Sequence, residues 1–316
     1  MKVPQSQYEG DLSAQATIFE AIFSPDHTWS ASRFETYATC PHQFFIQNLL
    51  KLEPKKPPEL GLDAAQIGSI LHDILEKVYR AAEDTTDLDA LLSNLESHAA
   101  SVFAQAPHKE VFRPSPLWEV EKDQFIAMLR KTIEALHAES MGWTPIRFEE
   151  KFGISNTPAL VLDLGAEEVR LRGLIDRVDR NEFGGLRIID YKTGGSNLSN
   201  KDLISGRRLQ MPIYAQAAQQ ALRLGTVKEG FYWQIRAAKP SSFKLSKFKN
   251  NQQKGPQAAY TIALDHIRRM LGDVRSGSFP PIAPGDGCPS YCPAVQWCWR
   301  YQPGYWRKRN DDRSSH

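Results

Sequence analysis

The chain has 316 residues, 41% of them hydrophobic, and a formal net charge of +2. That length suits one large domain or two small ones, no run approaches the eighteen or so apolar residues of a membrane span, and Met1 to Ser6 lacks the apolar core of a secretory signal. A cytoplasmic protein is therefore expected, and the near-neutral charge argues neither for nor against a nucleic acid partner.

Residues 1–27 are polar and weakly patterned and read as an arm. A helix start is expected over Thr28 to Ser32. Ser30 or Ser32 would cap it, and Glu35 stands three residues after Ser32, the spacing of a capping box. That helix turns Phe34, Tyr37 and Ala38 inward, reaches Cys40 and Pro41, and gives way at Pro54, Pro57 and Pro58. Over Ala64 to Ala82 the spacing of Ile67, Ile70, Leu71, Ile74, Leu75 and Val78 predicts an amphipathic helix. His72 lies beside that stripe, and Gly68 one turn earlier leaves room for a group to approach the imidazole; a lone histidine there is most often a boundary residue. Residues 87–106 and 117–140 read as two further helices, separated by Pro107, Pro114 and Pro116. Strands are predicted over 147–154, 159–164, 169–178 and 186–192. Leu209 to Leu224 reads as a helix with Pro212 tolerated in its first turn, and Gln210 and Tyr214 share one face of it. A strand over 229–236, a polar loop over 239–256 and a helix over 257–275 follow. Strands grouped mid-chain between helices predict a mixed sheet with helices on both faces. Adjacent apolar Ile188 and Ile189 fit a strand covered on both sides. The chain has no Gly-x-x-x-x-Gly-Lys-Ser/Thr loop, so an ATP-driven motor is not expected.

The residues richest in chemistry are Asp190, Tyr191 and Lys192, at the end of the run Leu186 to Ile189. Charge at the tip of a buried strand is costly unless paired or put to work. The glycines of Asn181 to Gly185 suit a hairpin turn, and the midpoint of Asp176 and Asp190 falls on position 183, its centre. Those carboxylates then face each other across two strands, with Lys192 on the face of Asp190 and Tyr191 on the other. Two like charges side by side call for a cation between them, and a hard divalent ion such as magnesium fits oxygen ligands. The plainer alternative is an Asp–Lys ion pair at a sheet edge.

Cys288, Cys292 and Cys298 cluster late in the chain, and Cys40 stands far upstream. A reducing cytosol disfavours a structural disulfide, and four thiolates suit zinc or an iron–sulfur cluster equally by spacing. Lys244, Lys247, Lys249 and Lys254, with Phe243 and Phe248 interleaved, form a basic stretch of the kind that contacts nucleic acid but is more often a solvated loop. Arg307, Lys308 and Arg309 lie in a tail, residues 307–316, expected to be disordered.

Six segments together resemble the PD-(D/E)XK nuclease superfamily, and within it the RecB-like nuclease domains, including those at the C-terminus of AddB-type helicase–nuclease chains. They are SASRFETYATCPHQFF (residues 30–45), GSILHDILE (68–76), GLIDRVD (173–179), IIDYKTG (188–194), LQMPIY (209–214) and the cysteine segment 288–298. The resemblance implies an α/β, restriction-endonuclease-like three-layer core, a mixed β-sheet flanked by helices. To it are added N-terminal helices and a helical insertion over about 83–140, within a nuclease domain spanning 28–306. It implies Asp176 and Asp190 as magnesium or manganese ligands, His72 as a further ligand, and Lys192 as the catalytic lysine. It implies Gln210 and Tyr214 as site-shaping, DNA-touching residues, and Cys40, Cys288, Cys292 and Cys298 as ligands of a 4Fe–4S cluster. Family members often have two residues between the first two clustered cysteines; here there are three, which keeps zinc open. The implied activity is metal-dependent DNA cleavage, an exonuclease in repair and recombination, acting on ends or single strands with a helicase partner. The alternative is a DNA-binding or structural module that does not cut.

Overall fold

The computed structural model describes residues 7, 10–53, 61–165, 167–194, 198–282, 288, 292–295, 297 and 298. Fourteen-residue strand β4 (Glu168–Asn181) is the hub of a seven-stranded mixed sheet. It pairs in parallel with β1 (Thr28–Ser30) and antiparallel with β2 (Trp143–Phe152), β3 (Leu160–Asp163) and β5 (Leu186–Lys192). β5 then pairs in parallel with β6 (Val227–Gln234), and β6 antiparallel with the short β7 (Lys239–Pro240). The β4–β5 turn closes where the sequence predicts. Asn181 Oδ1 accepts from the Phe183 and Gly185 amides, and Gly184 takes a φ of +78° that only glycine adopts freely.

Helices cover both faces, because β5 and β6 alternate apolar residues to each side. Leu186, Ile188 and Tyr232 join one core with α1 (Ala16–Ile22), α2 (Ala31–Thr39), α3 (Pro41–Phe44) and later helices. Ile189, Tyr191, Phe231 and Trp233 join a second core with α4 (Ala64–Ala81), α5 (Leu88–Lys109) and α6 (Leu117–Glu139). This is the expected three-layer arrangement. The later helices on the first face are α7 (Asn200–Ile204), α8 (Gln210–Gln216) and α9 (Pro256–Arg275), with a single π turn, Ala217–Ala221, continuing α8. Among the described residues no helix is long and apolar enough to cross a membrane.

Four expectations are corrected. Residues 1–27 are not merely an arm: α1 seats Phe19 and Phe23 in the first core. Thr28 to Ser30 is strand β1 rather than the opening of a helix; Ser30 caps α2 by accepting from the Arg33 amide, and Glu35 makes no capping box. Helix α5 continues through Pro107 to Lys109. Phe243 and Phe248 are buried in the first core, so the basic stretch does not display them as a stacking track. The expected tail 307–316 lies outside the described residues.

Candidate active site

Three carboxylates line up across three strands. Asp190 stands one rung beyond Arg177↔Ile189, opposite Asp176, as the turn symmetry predicts. On the other side of β4 the register runs Phe148↔Arg177 and Glu150↔Ile175, which sets Glu149 beside Asp176. Glu149 has a φ of +47°, rare for a side-chain-bearing residue inside a strand. Strained backbone of this kind persists where the surroundings enforce it and gathers at functional sites.

Helix α4 delivers His72 to the same point. Asp63 caps that helix, its carboxylate accepting from the Ala65 and Gln66 amides, and the stripe Ile70, Leu71, Ile74, Leu75 and Val78 fastens it to the second core. His72 Nδ1 lies 3.5 Å from Glu149 Oε1 and 3.6 Å from Asp176 Oδ2. One ligand atom from each of the three residues lies within 4.8 Å of the others. The Tyr191 amide donates to Asp176 Oδ2 at 2.6 Å, while its ring turns to the opposite face, edge-on to His72. The site opens into a recess of about 600 Å³ whose walls include Gly68, Ser69, Thr193 and Arg208.

Lys192 enters from the end of β5. Its Nζ lies 2.6 Å from Asp190 Oδ2 and donates to Gln210 Oε1 at 2.8 Å. The Asp–Lys ion pair is therefore real, but it forms one edge of a larger constellation rather than standing alone. The Gln210 amide in turn donates to the Tyr214 hydroxyl at 3.4 Å, one helical turn along α8. Tyr214 also packs edge-on to Phe152. Both rings crowd Gly173, where a Cβ would meet Phe152 at 2.7 Å and Tyr214 at 3.0 Å.

The start of α8 is held by a residue whose role the sequence does not reveal. Glu35 Oε1 accepts from the Leu209 amide at 2.6 Å and the Gln210 amide at 3.0 Å, and Arg208 lies 3.4 Å from Oε2. Burial pushes this carboxyl upward, while Arg208 and the Leu209 amide pull it back.

The electrostatics are those of an anionic site short of a cation. Burial raises Asp176 well above the usual carboxylate range, with Asp190 and Glu149 adding to it and His72 and Lys192 opposing. For His72 burial works against the charged ring, yet Asp176 and Glu149 outweigh it and push the group up to about 9. Lys192 is likewise raised, Asp190 and Asp176 overcoming burial. Asp190 Oδ2 is buried and paired with the Lys192 ammonium at 2.6 Å. An imidazole and carboxylate oxygens brought within 4.8 Å of one another fit a divalent cation.

On the opposite face of the sheet, Asp179 binds Arg177 Nε at 2.6 Å and Arg187 Nη2 at 2.5 Å, all three fully buried. This triad underpins β4 and β5 directly behind the site.

The thiols form a separate centre. Cys40 ends α2, and Cys292 and Cys298 are buried beside Ile46 and Ala294. Burial, with a contribution from the nearby Cys40, Cys288 and Cys298, pushes the Cys292 thiol up to about 11. Residue 40 and the segment around 288–298 thus approach each other here. Two buried thiols with Cys40 and Cys288 nearby fit a group that binds thiolates.

A family model for the PD-(D/E)XK nuclease superfamily matches residues 28–299. The chain belongs to that superfamily. Similar proteins include an ATP-dependent helicase/deoxyribonuclease subunit of Carboxydothermus hydrogenoformans, 33% identical over 211 residues, covering 63% of this chain and 19% of that protein. The same-named chains of Thermoanaerobacter pseudethanolicus and Oceanobacillus iheyensis are 29% and 30% identical, over 62% and 64% of this chain and 18% of each relative. The matched region thus spans under a fifth of these relatives' length. Within the superfamily fold, the sequence-predicted Asp176, Asp190, Lys192, His72, Gln210 and Tyr214 form one connected constellation, and Glu149 and Glu35 join it unforeseen.

Proposed function

We propose that this PD-(D/E)XK chain is a magnesium- or manganese-dependent deoxyribonuclease, an exonuclease on ends or single strands, working with a helicase partner in DNA repair and recombination. The observation that carries this reading is the convergence of His72, Glu149 and Asp176, with Asp190 opposite Asp176 across the strands and paired to Lys192. The family supports the reaction class, and the relatives' names support DNA as substrate and a helicase partner.

His72, Glu149, Asp176 and Asp190 would hold the cation. Once bound, it supplies Lewis-acid polarisation of a phosphodiester and a more acidic water. Lys192 is held as an ammonium by Asp190 and Asp176, so it donates hydrogen bonds, to the attacking water or to a phosphate oxygen, rather than taking a proton. Gln210 fixes the direction of the Lys192 amine, and Tyr214 fixes Gln210. Cys40, Cys288, Cys292 and Cys298 would hold a 4Fe–4S cluster that ties residue 40 to the far end of the domain, which restricts the unfolded chain.

The test is digestion of end-labelled linear against circular single-stranded DNA with magnesium, manganese or chelator. Metal-dependent loss of linear DNA alone supports an exonuclease. Cleavage of circles makes it an endonuclease, and no cleavage with either metal refutes the reading.

A further inference from the structure

A second recess, of about 580 Å³, adjoins the active-site recess and shares Gly194 with it. Its lining includes Gln234, Arg236, Lys239, Ser241 and Ser242 and, among the described residues, contains no carboxylate. The active-site recess, by contrast, mixes Asp73, Glu76 and Glu149 with Lys109, Lys192 and Arg208. A polyanion reaching the carboxylates of the centre needs cations on its flank, and Arg236 and Lys239 stand there.

The placement follows from the sheet. Lys192 pairs with Gln234 on β6, and Gln234 pairs with Lys239 on β7. Each rung step is about 4.8 Å, so Lys239 stands about 10 Å along the rim from the lysine of the active site. The Arg236 Nε donates to the Thr193 carbonyl at 3.0 Å, joining one recess to the wall of the other. The turn carrying both cations is tied to the fold at Ile235. Thr132 of α6 donates to the Ile235 carbonyl, and Ala238 is held at a φ of +47°, a strained state for alanine that folds Lys239 back beside Arg236. The Ser241 and Ser242 hydroxyls donate to the Phe243 and Leu198 carbonyls, which leaves the two cations as the recess's charged donors.

We infer that Arg236 and Lys239 form a subsite for the phosphodiester backbone of the strand flanking the scissile bond. This rests on the nuclease reading for what lies next door, but it is measurable without cleavage. Both side chains are exposed and take no part in the cation site, so their role is to hold the strand, not to speed the chemistry.

The test uses the full chain and the double variant Arg236→Ala/Lys239→Ala. Anisotropy of a fluorescein-labelled oligothymidylate in calcium gives Kd, and its salt dependence counts phosphate contacts. The Kd should rise about 10-fold, and the slope of log K against log salt should become shallower by about 1.4, two single-strand contacts at about 0.7 each. Hydrolysis of bis(p-nitrophenyl) phosphate with manganese, an ester too short to reach the subsite, should keep its kcat/KM. An unchanged Kd and slope would overturn the subsite, and so would an equal loss on the small ester. If the double variant does not fold, Lys239→Gln alone should lower the slope by about 0.7, and an unchanged slope there is equally decisive. Wild-type protein that binds the oligonucleotide but hydrolyses neither substrate would refute the nuclease reading and leave the binding comparison intact.

Discussion

Glu35 links the helix that ends in Cys40 to the helix that carries Gln210, and its removal has a size that the contacts set. Glu35→Ala leaves the Leu209 and Gln210 amides without their acceptor in a buried place. A buried unsatisfied donor costs about 1–3 kcal/mol, so two cost about 2–6 kcal/mol; the Arg208 contact, partly exposed, adds little. The start of α8 then relaxes, and with it Gln210, the acceptor for Lys192 at 2.8 Å. A displacement of about 1 Å at a reacting centre can cost about 100-fold, so kcat on single-stranded DNA should fall about 10- to 100-fold with manganese affinity unchanged. Glu35→Gln keeps an acceptor oxygen while removing a charge that burial penalises, and should stay within a few-fold of wild type in kcat. Glu35→Asp keeps the charge but withdraws the oxygen by one methylene, and should lose more than Gln does. Steady-state kinetics beside urea melts decide the matter. A stable Glu35→Ala protein with wild-type kcat would refute the reasoning, as would an Asp variant more active than Gln.

Asp190→Ala and Lys192→Ala should each abolish cleavage while circular dichroism and melting stay near wild type; metal-dependent cleavage by either would contradict their roles. Glu149→Gln should weaken manganese binding in calorimetry, and an unchanged Kd would remove Glu149 from the ligand set. In metal-free protein His72 binds its proton more tightly folded than unfolded. Its stabilisation is therefore complete below pH 6.5 and lost as pH rises to about 9, and His72→Gln should flatten that stretch of the stability–pH curve. Protein purified without oxygen should be brown, and a colourless preparation with stoichiometric zinc would exclude the iron–sulfur assignment.

Much of the site was legible because local symmetry encodes it. The glycines after Asn181 fix a turn centred on residue 183, and pairing across it sets Asp176 against Asp190. The helical stripe around His72 fixed its flank but not its neighbours, which belong to β2 and β4. Glu149 was not legible: its strand was foreseen, but its side chain reaches His72 through a left-handed backbone and a register shift between Pro145 and Arg147. Neither has a strong sequence signature. Glu35 misled because its spacing from Ser32 mimics a local cap while its partners lie more than 170 residues away. Ile18, Phe19, Ile22 and Phe23 do carry a helical pattern, but over barely two turns. Phe243 and Phe248 gave no warning of burial, since irregular chain has no period to read. The order of strands around β4 depends on long-range pairing that composition and spacing leave open.

The most direct test of the shared cation site is anomalous diffraction from crystals soaked in manganese. A single peak is expected about 2.0–2.2 Å from ligand atoms of His72, Glu149 and Asp176, on the side of Asp190 and Lys192. A saturating soak that leaves this point empty, or a peak bound elsewhere with these side chains turned away, would contradict that site.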